Sequence, residues 1–208
     1  MVQRVHRTDG QGRRLRVLDP EAVPEITSWD EFEQFVLSHP DHKWELYDGE
    51  LREKPGMSAE HNDAMTNLVI ALGSQLDRRV YRVRSNSAHI RRSSKSYYIP
   101  DVFVVAADAF RLQLGRPGRL ERFDIPLLLV IELWSKSTGR YDANTKIPEY
   151  QERGDLEIWR LHPYEHSLTV WRRQEDGTYE ESTYHGGKIN PAFLPNVTID
   201  LDALFDYA

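Results

Sequence analysis

The stretch Pro126 to Trp134, PLLLVIELW, constrains this chain more than any other. From Leu127 to Ile131 it is apolar throughout, without the alternation of a strand wetted on one side. Such a run reads as a central strand covered on both faces, which requires layers above and below a sheet. Glu132 then interrupts it. A buried carboxylate costs several kcal/mol unless cations or hydrogen bonds compensate it. Asp101 repeats the anomaly, following Pro100 and preceding the apolar VFVVAA. If the two strands are neighbours, their carboxylates converge and repel. A divalent cation relieves that repulsion, and Mg²⁺ is commonly held by one or two carboxylates with water and substrate phosphate.

The elements around this pair are legible. Residues 1–24 are polar and without periodicity, and are expected to be a loosely ordered leader before a single domain over 25–208. ITSWDEFEQFVLSHP predicts a short helix capped by Thr27 or Ser28. KWELYDGELREK predicts a hairpin with Asp48-Gly49 as its two-residue turn. In that register Glu45 faces Arg52 and Tyr47 faces Glu50 on one side, with Trp44, Leu46 and Leu51 on the core side. Ser58 is the cap of a longer helix carrying Met65, Leu68, Val69, Leu72 and Leu76 as an apolar stripe. Strands are expected over 80–90 and 97–107. After the hydroxyl-rich break at 135–138, YDANTKIPEYQERG predicts a helix with Pro148 forcing a kink or a late start. LEIWRLHP and SLTVWRRQ predict a second hairpin. The order of elements implies an α+β fold with a mixed sheet flanked by helices.

Composition narrows the function classes. The 208 residues include no cysteine, so disulfides and thiolate metal sites are excluded. No stretch has the length and apolarity of a membrane span, and the opening residues lack the apolar core of a signal peptide. The expectation is a cytoplasmic protein with no membrane partner. Net charge is −6, yet basic residues gather locally, with Arg82, Arg84, Arg91, Arg92 and Lys95 the candidates for holding a polyanion. No glycine-rich phosphate loop is present, which disfavours an ATPase. Ser135, Ser137 and Thr138 have no base partner in sequence and read as the turn and cap of the next helix. His162 and His166 are spaced i,i+4, but Pro163 removes the helix that would make them a metal pair.

Lys146 is the third chemical element. It lies four residues after Asp142 and four before Tyr150, on one helical face that can turn back toward Glu132. The same spacing also describes an ordinary surface ion pair worth about 0.3–0.5 kcal/mol.

These residues resemble a known pattern. WELYDGEL (44–51), His61 in AEHN, YIPDVFVV (98–105), the long block 127–154 and LEIWRLHP (156–163) together are similar to the Uma-type restriction endonuclease family of the PD-(D/E)XK nuclease superfamily. The resemblance implies a restriction-endonuclease-like αβββαβ core with the hairpin as an N-terminal extension. It implies Mg²⁺-dependent cleavage of DNA phosphodiester bonds, with Mn²⁺ able to substitute. Asp101 and Glu132 would be metal ligands, and Lys146 the catalytic lysine, because position 134 is Trp where the superfamily places lysine. Lys136 is the rival. Glu50, ahead of Glu45, would be the auxiliary acid, and His61 would support a ligand carboxylate or a phosphate. Cutting both strands needs two sites, which a homodimer would supply. The alternative is a catalytically silent nuclease fold that binds nucleic acid or a partner protein.

Overall fold

The computed structural model describes residues 26–206, together with the backbone of 4–8 and 14–18. Those two segments, β1 (Arg4–Thr8) and β2 (Arg14–Leu18), pair antiparallel. The rest of the leader expected over 1–24 lies outside the described residues. Next come α1 (Trp29–Ser38), β3 (Trp44–Tyr47), β4 (Glu50–Glu53), α2 (Ala59–Gln75), β5 (Tyr81–Ser85), β6 (His89–Ser93), β7 (Ser96–Tyr98) and β8 (Val102–Ala106). They are followed by α3 (Ala107–Arg111), β9 (Arg122–Phe123) and β10 (Leu129–Leu133). A helical passage then runs through α4 (Gly139–Tyr141), a π-helical turn (Asp142–Lys146) and α5 (Ile147–Arg153). β11 (Glu157–His162), β12 (Ser167–Arg173), β13 (Tyr179–Tyr184), β14 (Lys188–Ile189), β15 (Ile199–Asp200) and α6 (Leu201–Leu204) follow.

Two sheets hold most of these strands, and β14 and β15 form a separate antiparallel pair. The larger has the order β13-β12-β11-β10-β8-β5, and the smaller β4-β3-β7-β6-β9. β10 lies inside the larger sheet, parallel to β11 and antiparallel to β8. Its five residues are all buried, as the unbroken apolar run predicts. On one face β10 packs beneath α2 and α6, where Leu129, Ile131 and Leu133 meet Leu68, Leu72 and Leu204. On the other, Val130 joins Ile147 and Tyr150 of α5. Within the larger sheet the succession α2, β5, β8, β10, α5, β11 is the expected αβββαβ order. The fold is α+β, with mixed sheets flanked by helices.

Three departures from the sequence reading have physical causes. The strand expected over 80–90 is two strands, because Asn86 adopts φ 49° and turns the chain from the larger sheet into the smaller. The strand expected over 97–107 is likewise two, β7 in the smaller sheet and β8 in the larger. Pro100, which has no N–H for a ladder, sits at the change of sheet. The hairpin β3–β4 is no appended ribbon, since β3 pairs with β7 and so joins a five-stranded sheet. Its turn is as predicted, with Asp48 at φ 47° and Gly49 at φ 84°. Both helix caps also form, Ser28 Oγ accepting from Glu31 N–H and Ser58 Oγ from His61 N–H.

Candidate active site

The change of sheet at Pro100 places Asp101 at the head of β8, one residue before Val102, the ladder partner of Ile131. Continued by one step, that register sets Asp101 beside Glu132. The main-chain N–H of Leu133 donates to Asp101 Oδ2 at 2.8 Å. The two carboxylates found from sequence therefore meet at adjacent strand ends, both buried.

Four further groups converge on them. Lys146 Nζ lies 3.2 Å from Glu132 Oε1, 2.8 Å from Glu45 Oε1 and 3.6 Å from Asp142 Oδ1. Tyr150 donates its hydroxyl to Glu132 Oε1 at 2.5 Å. Lys54 Nζ donates to Asp101 Oδ1 at 2.8 Å, and His61 Nε2 is 3.3 Å from Asp101 Oδ2. Glu45, His61, Asp101, Glu132, Asp142 and Lys146 are none of them more than 3 % exposed.

The local chain explains how Lys146 arrives there. Pro148 at the start of α5 cannot donate to a helical carbonyl, and the turn before it widens into a π-helix, closed by Ile147 N–H donating to Asp142 O. Asp142, Lys146 and Tyr150 still fall on one inward face. At the other end Trp134 lies flat against Gly139, where a Cβ would come within 2.1 Å of Trp134 Nε1, so only glycine fits. The indole thus fills the strand end at 134, where the sequence resemblance implies a lysine. Thr138 occupies the cap position of α4 without a side-chain cap, and Ser135 Oγ accepts from Thr138 N–H at 3.1 Å instead.

The electrostatics are lopsided. Four carboxylates (Glu45, Asp101, Glu132, Asp142) share two ammonium groups (Lys54, Lys146), an excess of two negative charges when all are ionised. Burial works against ionisation of Asp101, but Lys54 and the nearby His61 ring outweigh it and hold this carboxyl well below the usual range. Burial pushes Glu132 up to about 8, with Asp101 and Asp142 adding repulsion that Lys146 only partly offsets. Asp142 is raised by burial as well. Lys146 stays charged, because the surrounding carboxylates overcome its own desolvation. One lysine among three carboxylates keeps its proton while the most enclosed of the acids takes one up.

The remaining candidates fall elsewhere. Glu50, preferred to Glu45 from sequence, lies on the edge strand β4 with its side chain 78 % exposed, 3.7 Å from Arg52. Glu45, one strand further in, has its inward face closed by the helical passage and accepts from Ile99 N–H at 2.8 Å. The register Glu45↔Arg52 holds. Arg52 nevertheless rests over Tyr141 and Tyr47, at 4.7 and 5.3 Å from their rings. Lys136 is exposed in the turn after β10. In the basic stretch Arg84 pairs with Glu121, Arg91 with Asp124, and Arg92 with Glu149 and Glu152. Arg82 lies over Phe110 and Lys95 is exposed. Sequence reasoning missed Lys54, which ends the hairpin motif but shows no periodicity of its own.

Among the described residues no set of three or more His, Asp or Glu side chains forms a ready cation shell. Asp101 and Glu132 are nonetheless hard oxygen donors in a cluster with more acids than ammonium groups, and His61 next to Asp101 is wholly buried with neither ring nitrogen hydrogen-bonded. That donor set suits a divalent cation completed by water and phosphate.

Residues 29–202 match the family described as Uma2, "Putative restriction endonuclease". The chain belongs to this family. A crystal structure described as a "putative nuclease belonging to DUF820", from Anabaena variabilis, superposes with a TM-score of 0.65 at 18 % identity, covering 79 % of this chain and 90 % of that one. It bears out the fold. No curated protein matches the sequence. The segment of Uma2 similarity contains every residue of the charged cluster. Among the described residues no helix is long and apolar enough to cross a membrane.

Proposed function

We propose that the protein is a divalent-metal-dependent endodeoxyribonuclease whose centre is Asp101, Glu132 and Lys146, supported by Glu45. The observation that carries this reading is Lys146 Nζ, enclosed between Glu132 at 3.2 Å and Glu45 at 2.8 Å beside a strand-end Asp101. A lysine and two strand carboxylates at one point can hold a divalent cation and stabilise charge developing on a phosphate, and the nuclease family supplies the reaction class.

Asp101 and Glu132 would hold Mg²⁺, or Mn²⁺ in its place. Bound there, the ion would polarise a phosphoryl oxygen and acidify water. The chain's own groups do the rest. Lys146 presents a permanent positive charge where negative charge develops. Glu45 fixes its ammonium, Tyr150 orients Glu132, and the Leu133 amide and His61 fix Asp101. DNA would approach along Arg82, Arg84, Arg91, Arg92 and Lys95, the ion pairs of Arg84, Arg91 and Arg92 loosening as phosphates replace the acids. A homodimer would provide the second site needed for both strands.

A silent nuclease fold that only binds DNA or a partner is the second reading, favoured by the depth of the cluster and by Lys54 resting on Asp101. Nicking of supercoiled plasmid with Mg²⁺ or Mn²⁺ separates the two. The wild type nicks, and Asp101→Ala and Lys146→Ala abolish nicking with the circular dichroism spectrum retained. Nicking that survives both substitutions refutes this site. Salt-sensitive DNA binding without any cutting by the wild type selects the second reading.

A further inference from the structure

Lys54 lies one residue beyond β4, and its main-chain N–H donates to Lys43 O at 2.8 Å, which ties its backbone to the hairpin. Its side chain, only 6 % exposed, crosses to the point where the chain changes sheet. There Nζ donates to Asp101 Oδ1 at 2.8 Å and to Ile99 O at 2.7 Å. The other oxygen, Oδ2, is already engaged by Leu133 N–H and faces His61 Nε2. Oδ1 is thus the freer oxygen of the proposed ligand, and an ammonium stands on it.

The two buried lysines differ in kind. Lys146 is shared among Glu45, Glu132 and Asp142, so losing one partner leaves it compensated. Lys54 has one carboxylate and one carbonyl, on a flexible four-carbon stem rooted outside the cluster. A divalent ion at Asp101 must displace this ammonium from Oδ1 or bind against its repulsion.

Building on the metal-site reading above, we propose that Lys54 is a resident counter-cation of Asp101 that competes with the divalent ion. It compensates Asp101 in the absence of metal and lowers the affinity of the pocket for the ion. Occupancy then depends on the free concentration of the ion, and Lys54 acts as a positioning residue for Asp101 and a competitor for its oxygen. It is not a group that touches the reacting atoms.

Calorimetric titration of the full chain with MnCl₂, without DNA and at one fixed pH, tests this. Lys54→Met should bind Mn²⁺ more tightly than the wild type by on the order of tenfold, and Lys54→Arg, which keeps the charge, should stay near wild type. Lys54→Gln, able to hydrogen-bond Ile99 O without charge, gives the same reading should the methionine variant not fold. Equal or weaker binding by the uncharged variants, with melting temperature retained, overturns the inference. Asp101→Asn tells the two failures apart. If it abolishes Mn²⁺ binding while Lys54→Met changes nothing, only the role of Lys54 is refuted. If it leaves binding untouched, Asp101 is no ligand and the metal-site reading falls with it.

Discussion

Two groups of buried carboxylates stand at opposite ends of the helical passage, and they are compensated in opposite ways. Beyond α5, Asp155 accepts from Leu127 N–H at 2.7 Å and pairs with the equally enclosed Arg153 at 3.0 Å. Glu157 accepts from Trp159 Nε1 at 2.8 Å, Arg172 Nε at 3.2 Å and Ala192 N–H at 2.6 Å. Each of these acids has its own arginine and a main-chain donor. At the other end four acids divide two lysines, and burial, with repulsion from Asp101 and Asp142, raises Glu132 to about 8. Buried acids that only hold a fold together are matched one to one. The shortfall around Asp101 and Glu132 is what the proposed divalent ion would make good.

That contrast can be broken most visibly at Lys146. Lys146→Ala should lower metal-dependent nicking by on the order of 10³-fold, measured on supercoiled plasmid, with secondary structure unchanged by circular dichroism. The matched end should respond in stability instead. Asp155→Ala leaves Arg153 buried without its carboxylate, and should cost about 3–5 kcal/mol in urea unfolding. Glu132→Gln should cost far less, because at neutral pH Glu132 already holds its proton and the amide keeps its size without charge.

The pH dependence of stability sharpens the same point. Glu132 titrates near 4.5 in the unfolded chain and at about 8 in the folded one, so the folded state holds its proton more tightly. Its contribution is full below 4.5 and fades as pH rises toward 8. Metal-free protein should therefore lose stability across that window, and Glu132→Gln should flatten the loss in melting curves taken at successive pH values. The smallest effect belongs to the surface. Reversing Arg91 and Arg92 to Glu should weaken DNA binding by about tenfold or less at low salt, because both arginines already spend charge on Asp124, Glu149 and Glu152. No change in the salt slope would remove them from the DNA path.

Much of the site is written in local pattern. A glutamate inside an unbroken apolar run, an aspartate after a proline and a lysine on a helical face can each be read within a few residues, and the structure brings all three together. The Asp48-Gly49 turn and the serine caps are equally local. What sequence conceals is sheet membership. Alternation over 80–90 and 97–107 says strand, but not that Asn86 and Pro100 hand the chain between two sheets. Glu45 was hidden for the same reason, since a hairpin read alone pairs it with Arg52. Only the joining of β3 to β7 beneath the helical passage buries it against Lys146. Lys54 has no signal beyond its place after a hairpin, because its partner is 47 residues away.

The proposed chemistry rests on the pocket accepting a divalent ion between its two strand-end acids. The most direct measurement is an anomalous difference map from crystals of the full chain soaked in MnCl₂. The account predicts a peak in contact with a carboxylate oxygen of Asp101 and one of Glu132, absent from Asp101→Asn crystals. A soaked crystal with manganese bound elsewhere, and none between Asp101 and Glu132, would contradict it.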